Sequence, residues 1–191
     1  IETGYQLNEQ QRELLSSLGR QLGMALENIR LYEEARALSL HDPLTGLANR
    51  RYLDISYANQ VARSKRHTQP FSLMLLDIDH FKLYNDSHGH GQGDRILIQV
   101  ADVLRDSIRS TDLAVRYGGE EFLLLISDSK ADAAFELAER IRLQIAGEIG
   151  VTISIGIADY RVNDILDTQI LRADMALYKA KHAGRNRVEV E

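Results

Sequence analysis

The chain of 191 residues contains no cysteine. Disulfides and thiolate nucleophiles are excluded, and a reducing compartment fits that composition. It has no basic excess: 23 Lys and Arg stand against 28 Asp and Glu, a formal net charge of −5. No overall positive field therefore draws in nucleic acid or an anionic membrane. It has no long apolar run either. "LMLL" and "FLLLI" are the length of strands, not of a membrane span. The chain begins at Ile1 with neither an initiator Met nor a signal-like segment, and it reads as part of a longer protein.

Proline is absent from residues 8–40, which are rich in Leu, Glu, Gln, Arg and Ala. Leu15, Leu18, Leu22, Ala25, Ile29 and Tyr32 recur at alternating spacings of three and four. That is the a/d seam of a coiled coil. After Tyr32 the frame breaks, and Ala35 and Leu38 restart it one residue early, which locally overwinds a coiled coil. Two readings compete: a dimerising stalk, and an amphipathic helix packed on its own domain. The first is preferred, giving a linker over 1–40 and a separate domain over 41–191.

"HDPLTGLANRR" ends that helix, because Pro43 disfavours helix at Asp42 and Gly46 interrupts again. Beyond it the pattern predicts helix over 49–66, a strand over 71–79, helix over 92–109, a hairpin of "LAVRY" and "FLLLIS", and helix over 131–146. A strand over 151–158, helix over 168–183 and a short strand in "RVEV" follow. From residue 71 the order is βαββαβ plus one helix. The expected class is α+β, ferredoxin-like, with one antiparallel sheet and helices on one face. The link from Ile145 to Val151 is tight for joining helix to strand.

Four clusters carry chemistry. Asp77 and Asp79 close the first strand, and period two puts both on one face. The hairpin turn "RYGGEEF" adds Glu120 and Glu121, and in this strand order its tip approaches the end of strand one. Several carboxylates in one small site do not all ionise without a cation. Hard oxygen ligands suit Mg²⁺, which keeps waters and shares its shell with phosphates. The turn glycines, Gly118 and Gly119, would let backbone approach a ligand. "FKLYNDSHGHGQGDR" reads as an open glycine loop before a helix, and one Asn with one Asp (Asn85 and Asp94) can read a guanine edge. His88 and His90 read as loop residues rather than metal ligands. Lys181 and Arg185 suit a polyphosphate, although cations also decorate ordinary helix ends. Arg109 and Asp112, by themselves, are a surface pair.

Together "HDPLTGLANRR", "LLDIDHFKLYNDSHGHGQGD", "RYGGEEF", "VTISIGIA" and "ADMALYKAKHAGRNR" resemble the GGDEF family of diguanylate cyclases, in order and spacing, over residues 41–190. The turn carries the GGEEF variant of the signature. The resemblance implies condensation of two GTP into cyclic di-GMP, with Mg²⁺ or Mn²⁺. It implies Asp77, Glu120 and the Ile78 carbonyl as metal ligands. It implies Lys82 near the reacting phosphate, and Glu120, with Glu121 as rival, taking the ribose 3′-OH proton. Asn85 and Asp94 correspond to guanine readers. His90, Phe81, Gly118 and Gly119 take further nucleotide positions, and Lys181 and Arg185 the terminal phosphates. Arg109, Asp112 and Arg140 match an RxxD site for inhibition by cyclic di-GMP. Tyr84 departs from the family, standing where an aliphatic residue is usual. "LLSSLGRQLGMALENIRLYEEA" resembles the last helix of a GAF sensor domain running into a linker. A homodimeric, cytoplasmic bacterial enzyme under sensor control is the resulting expectation. The alternatives are a catalytically silent cyclic di-GMP receptor and a dimerising signalling module.

Overall fold

The computed structural model describes residues 8–38 and 40–191, with side chains for 8–32 and 40–191. The chain divides into two units, one up to residue 39 and one from Leu40 to Glu191. In the first, helix α1 runs unbroken over Glu9–Leu38. Its seam residues Leu15, Leu18, Leu22, Ile29 and Tyr32 are between 45% and 69% exposed. The expected restart of the seam at Ala35 and Leu38 lies outside the described side chains.

The second unit contains α2 (Arg50–His67), β1 (Phe71–Ile78), α3 (Phe81–His88), α4 (His90–Ser107), β2 (Leu113–Arg116) and β3 (Glu121–Ser127). It continues with α5 (Ala131–Glu148), β4 (Ile153–Asp159), α6 (Leu166–His182) and β5 (Val188–Val190). The five strands form one sheet in the order β2-β3-β1-β4-β5. β1 is central, antiparallel to both β3 and β4, while β5 joins β4 in parallel. The sheet is therefore mixed, not purely antiparallel.

The expectation of helices on one face is corrected as well. Met74, Leu76 and Ile78 pack with Ile96, Val100 and Leu104 of α4 and Ala138 and Ile141 of α5. On the opposite face Leu73 and Leu75 pack with Leu53 of α2 and Ala173 and Leu177 of α6. β1 is buried along its whole length. Its sequence "FSLMLLDI" is an almost continuous apolar run, the pattern of a strand covered on both sides.

The glycine loop expected before the helix at residue 92 is a helical corner instead. α3 ends at His88 and α4 begins at His90, with Gly89 alone between them. Gly89 takes φ +82, and Gly91 and Gly93 do not share that left-handed conformation. One positive-φ residue suffices to break a helix, so the other two glycines stay in the first turn of α4. The tight link after Ile145 is also accommodated. α5 continues to Glu148, Gly150 turns the chain at φ +80, and β4 begins at Ile153.

Gly156 sets how closely α6 lies on β4. A Cβ there would fall 2.1 Å from the Ala173 carbonyl oxygen and 2.3 Å from the Leu177 nitrogen. Both are helix backbone, which cannot swing aside as a side-chain tip can. Gly156→Ala should therefore destabilise the domain by about 3 kcal/mol or more, at or beyond the upper end of ordinary overpacking. Gly147→Ala in α5, where the added methyl meets open space, should be neutral or stabilising by up to about 1 kcal/mol. Urea unfolding of the two variants checks the contrast.

Candidate active site

The site is assembled around the end of β1. Strand alternation puts Asp77 on the α6 face, where its Oδ2 lies 2.8 Å from Lys181 Nζ. Across the β1–β3 ladder Asp77 is the register partner of Glu121. The neighbouring Ile78 N–H donates to the Glu120 carbonyl at 3.3 Å. Glu120 and Glu121 thus reach the strand end from the hairpin, as the strand order predicts. Burial pushes the Asp77 carboxyl up from its ordinary value, and Lys181 only partly offsets this. Glu120 and Glu121 are likewise pushed up, by burial first and by the Asp77 charge second.

Asp79 does not join them. Its Oδ1 accepts from Ser154 Oγ at 2.7 Å, and its Oδ2 from Thr152 Oγ1 at 2.7 Å and from the Asn186 N–H at 3.0 Å. Period two had set the two acids side by side; their partners separate them.

The signature turn is closed by the Tyr117 and Gly118 amides, which both donate to the Glu121 carbonyl. At Gly118 a Cβ would lie 2.5 Å from Glu121 Oε2, whereas Gly119 has open space around it. A brace that the sequence does not reveal holds this turn. Arg116 donates through Nη2 to the Gly119 carbonyl at 2.8 Å and through Nη1 to Asp42 Oδ1 at 3.1 Å. Asp42 also accepts from the Thr45 amide and hydroxyl. Burial alone would raise the Asp42 carboxyl; the bonds from Thr45 and Arg116 outweigh it and hold the group below the usual range. "HDPLTGL" therefore buttresses "RYGGEEF". Only the adjacency of a charged residue to each motif signalled it.

Asn85 on α3 lies against the first turn of α4. A Cβ at Gly93 would fall 1.8 Å from Asn85 Oδ1, so glycine at 93 is what makes room for the amide. That oxygen is buried and has no hydrogen-bond partner among the described residues. An orphaned buried acceptor is costly unless something donates to it. Asp94 and His90 are exposed on the same turn of α4, Lys82 is exposed on α3, and Phe81 is buried beneath them. Tyr84, the departure noted above, packs partly on the core and stacks on His88 with ring centroids 4.4 Å apart. Lys181 lies in the last turn of α6, and Arg185 lies past its end at φ +62.

Arg109, Asp112 and Arg140 line one cavity of about 400 Å³, away from the signature turn. Asp112 fixes that corner by accepting from the Arg109 and Ser127 amides. Arg140 donates to the Ser107 carbonyl.

Among the described residues, no group of three or more His, Cys, Asp or Glu side chains is gathered as a metal cage. The hard oxygen donors that meet at the end of β1 are the carboxylates of Asp77, Glu120 and Glu121. Anionic oxygens held close against mutual repulsion fit a Mg²⁺ that keeps waters and takes phosphate oxygens. They do not fit an all-protein cage. Among the described residues no helix is long and apolar enough to cross a membrane.

The profile of the family described as "Diguanylate cyclase, GGDEF domain" matches residues 39–187. Diguanylate cyclase DgcP of Pseudomonas aeruginosa is 43% identical over 166 residues, 83% of this chain and 25% of that protein. The chain thus spans about a quarter of that relative's length. The solved coiled coil and GGDEF domain of DgcB from Caulobacter crescentus, in complex with c-di-GMP, superposes with a TM-score of 0.77 at 30% identity. It covers 93% of this chain and 99% of that one. The active GGEEF domain of a diguanylate cyclase from Vibrio cholerae has a TM-score of 0.71 at 37% identity, covering 75% and 97%.

The crowded acids make a pH prediction. Each carboxyl of Asp77, Glu120 and Glu121 has a folded pKa above its unfolded value. Its favourable contribution to stability is full below about pH 4 and is lost as pH rises through the raised folded pKa. At neutral pH without divalent cation the cluster therefore costs stability. Glu121→Gln should melt higher than the parent at pH 7.5, the gap should close near pH 4, and Mg²⁺ should narrow it at pH 7.5. Thermal scans at the two pH values check this.

Proposed function

Because the chain belongs to the GGDEF family of diguanylate cyclases, we propose that it condenses two GTP into cyclic di-GMP and two pyrophosphates, one GTP being held by each of two protomers. The observation that carries this reading is the meeting, at the end of β1, of carboxylates from two strands with a lysine of α6. The 3′-oxygen of one GTP attacks the α-phosphorus of the other. A P–O bond forms, the bond from Pα to the bridging oxygen breaks, and pyrophosphate leaves. The second ester forms in the same way with the roles reversed.

The side chains divide this work. Glu120, with Glu121 as the alternative, accepts the 3′-OH proton; a carboxyl raised from its ordinary value suits a general base at neutral pH. Lys82, Lys181 and Arg185 carry positive charge to the phosphates, where positioning and electrostatics provide most of the rate. Asn85 and Asp94 take the guanine edge, the amide both giving and accepting and the carboxylate accepting from the ring N–H and exocyclic amine. His90 and Phe81 complete the base end, and the Gly118–Gly119 turn lies along the nucleotide. Asp77, Glu120 and the Ile78 carbonyl would hold Mg²⁺ or Mn²⁺, which when bound neutralises charge on the phosphates.

One half-site cannot complete the ring, so a two-fold dimer is required. The exposed seam of α1 supports a coiled coil as its source. The likeness of this helix to the end of a GAF domain supports a sensor upstream that biases the packing of the stalk. The domains on this reading are a signalling linker over 1–40 and the cyclase over 41–191, working in the cytoplasm where GTP is held. The shared cavity of Arg109, Asp112 and Arg140 supports product inhibition by cyclic di-GMP. A purely receptor role is disfavoured by the presence of every acid and guanine-reading residue.

Incubation of verified dimer with GTP and Mg²⁺ should yield cyclic di-GMP, identified by mass; its absence would sink the enzyme reading. Glu120→Gln should lower kcat by about a hundredfold or more while the melting temperature holds or rises. A chain starting at Leu40 should lose specific activity at low protein concentration and regain it as concentration increases.

A further inference from the structure

We infer that Asp79 is a positioning residue for the phosphate-binding segment 181–187, acting through the backbone of Asn186. This deepens the proposed function, since it rests on Lys181 and Arg185 meeting phosphates.

Past the end of α6 the chain makes an uncommon turn. Gly184, Arg185 and Asn186 take φ of +114, +62 and +45 in succession. Two of these are not glycine, and a side chain makes that region unfavourable. Such a conformation persists only where its surroundings over-determine it. Three bonds do so here. The Arg185 N–H donates to the Ala180 carbonyl at 3.0 Å. Asn186 Oδ1 accepts from Arg142 Nη1 at 2.9 Å. The Asn186 N–H donates to Asp79 Oδ2 at 3.0 Å.

The third differs from the others because its acceptor is a carboxylate that is itself held in place. Asp79 is 7% exposed, and its two oxygens are aimed by the Ser154 and Thr152 hydroxyls. Those hydroxyls come from the chain entering β4, Thr152 just before the strand and Ser154 within it, and β4 is paired with β1. The carboxylate is thus a rigid charged acceptor for one amide, the stronger kind of hydrogen bond. Two residues back on the same face, Asp77 holds Lys181. The pair of acids therefore grips both ends of the cationic segment, one by a side chain and one by the backbone. Arg185 lies between the two points, and its guanidinium is aimed by where the turn is held. This also accounts for the Thr and Ser in "VTISIGIA", which no step of the reaction uses.

Asp79→Ala removes both acceptor oxygens and leaves the Asn186 N–H without its partner. Binding is read by calorimetry with Mg²⁺, using GMP and 3′-deoxy-GTP, which lacks the attacking hydroxyl. We expect affinity for 3′-deoxy-GTP to fall about tenfold while GMP affinity holds within about twofold. The Asn186 amide should lose its hydrogen-exchange protection in the absence of any nucleotide. Thr152→Val, which removes one aiming bond but keeps the acceptor, should retain most of both. An equal loss for GMP and 3′-deoxy-GTP, or an unchanged Asn186 amide, overturns the inference. If the parent binds neither nucleotide, the proposed function fails and the Asn186 exchange alone decides this one. Should Asp79→Ala not fold, Gly184→Ala strains the same turn from its exposed side. It should show the same selective loss for 3′-deoxy-GTP, and equal losses there would overturn the inference too.

Discussion

Asp77 lies at the end of a strand that is buried on both faces, with a lysine ammonium 2.8 Å away. Two further acids arrive from the neighbouring strand, and burial keeps all three carboxyls above their ordinary values. Charge placed this way is expensive to desolvate and more expensive to leave unpaired. Much of the surrounding fold can be read as support for it. α6 must lie close enough to bring Lys181 down, and Gly156 permits that approach. The hairpin must be held at the strand end, and Arg116 anchors its turn to Asp42. The strain tolerated at this corner is of the kind that reacting sites retain.

The central strands, most of the helices and the ferredoxin-like order were legible because hydrophobic periodicity is set by burial, and burial is what folds the domain. The two-sided cover of the sheet was not drawn, although the unbroken apolar run of β1 carried that signal. The helical corner at Gly89 was missed for a different reason. Three glycines in a short stretch look alike in sequence, and only the backbone reveals which one turns. Among the acids, sequence brought Asp77, Glu120 and Glu121 to the right strand ends. Periodicity alone could not separate Asp77 from Asp79, because period two treats them identically; only the family resemblance distinguished them. Their difference lies in hydroxyls and an amide that come from residues 152, 154 and 186, far along the chain. Asp42 and Arg116 were invisible as a pair for the same reason.

The corner between α3 and α4 teaches a related point about small residues. Gly93 is needed not for its own backbone freedom but because Asn85 occupies the space of its missing side chain. The glycine and the amide form one unit: the first lets α3 and α4 close together, and the second is left with a buried acceptor that has no partner among the described residues. A motif rich in glycine thus encodes a fit between helices and not a loop.

The sheet has two borders, β2 with four residues and β5 with three. Along the outer side of β2 the chain lays a further segment: the Arg116 amide donates to the Ala48 carbonyl, and the Ala48 amide to that of Ala114. Short and partly covered borders offer a poor template for another chain to extend by strand addition. On the proposed function two such domains must approach each other repeatedly, and borders of this kind leave them no strand edge through which a brief encounter becomes a lasting sheet.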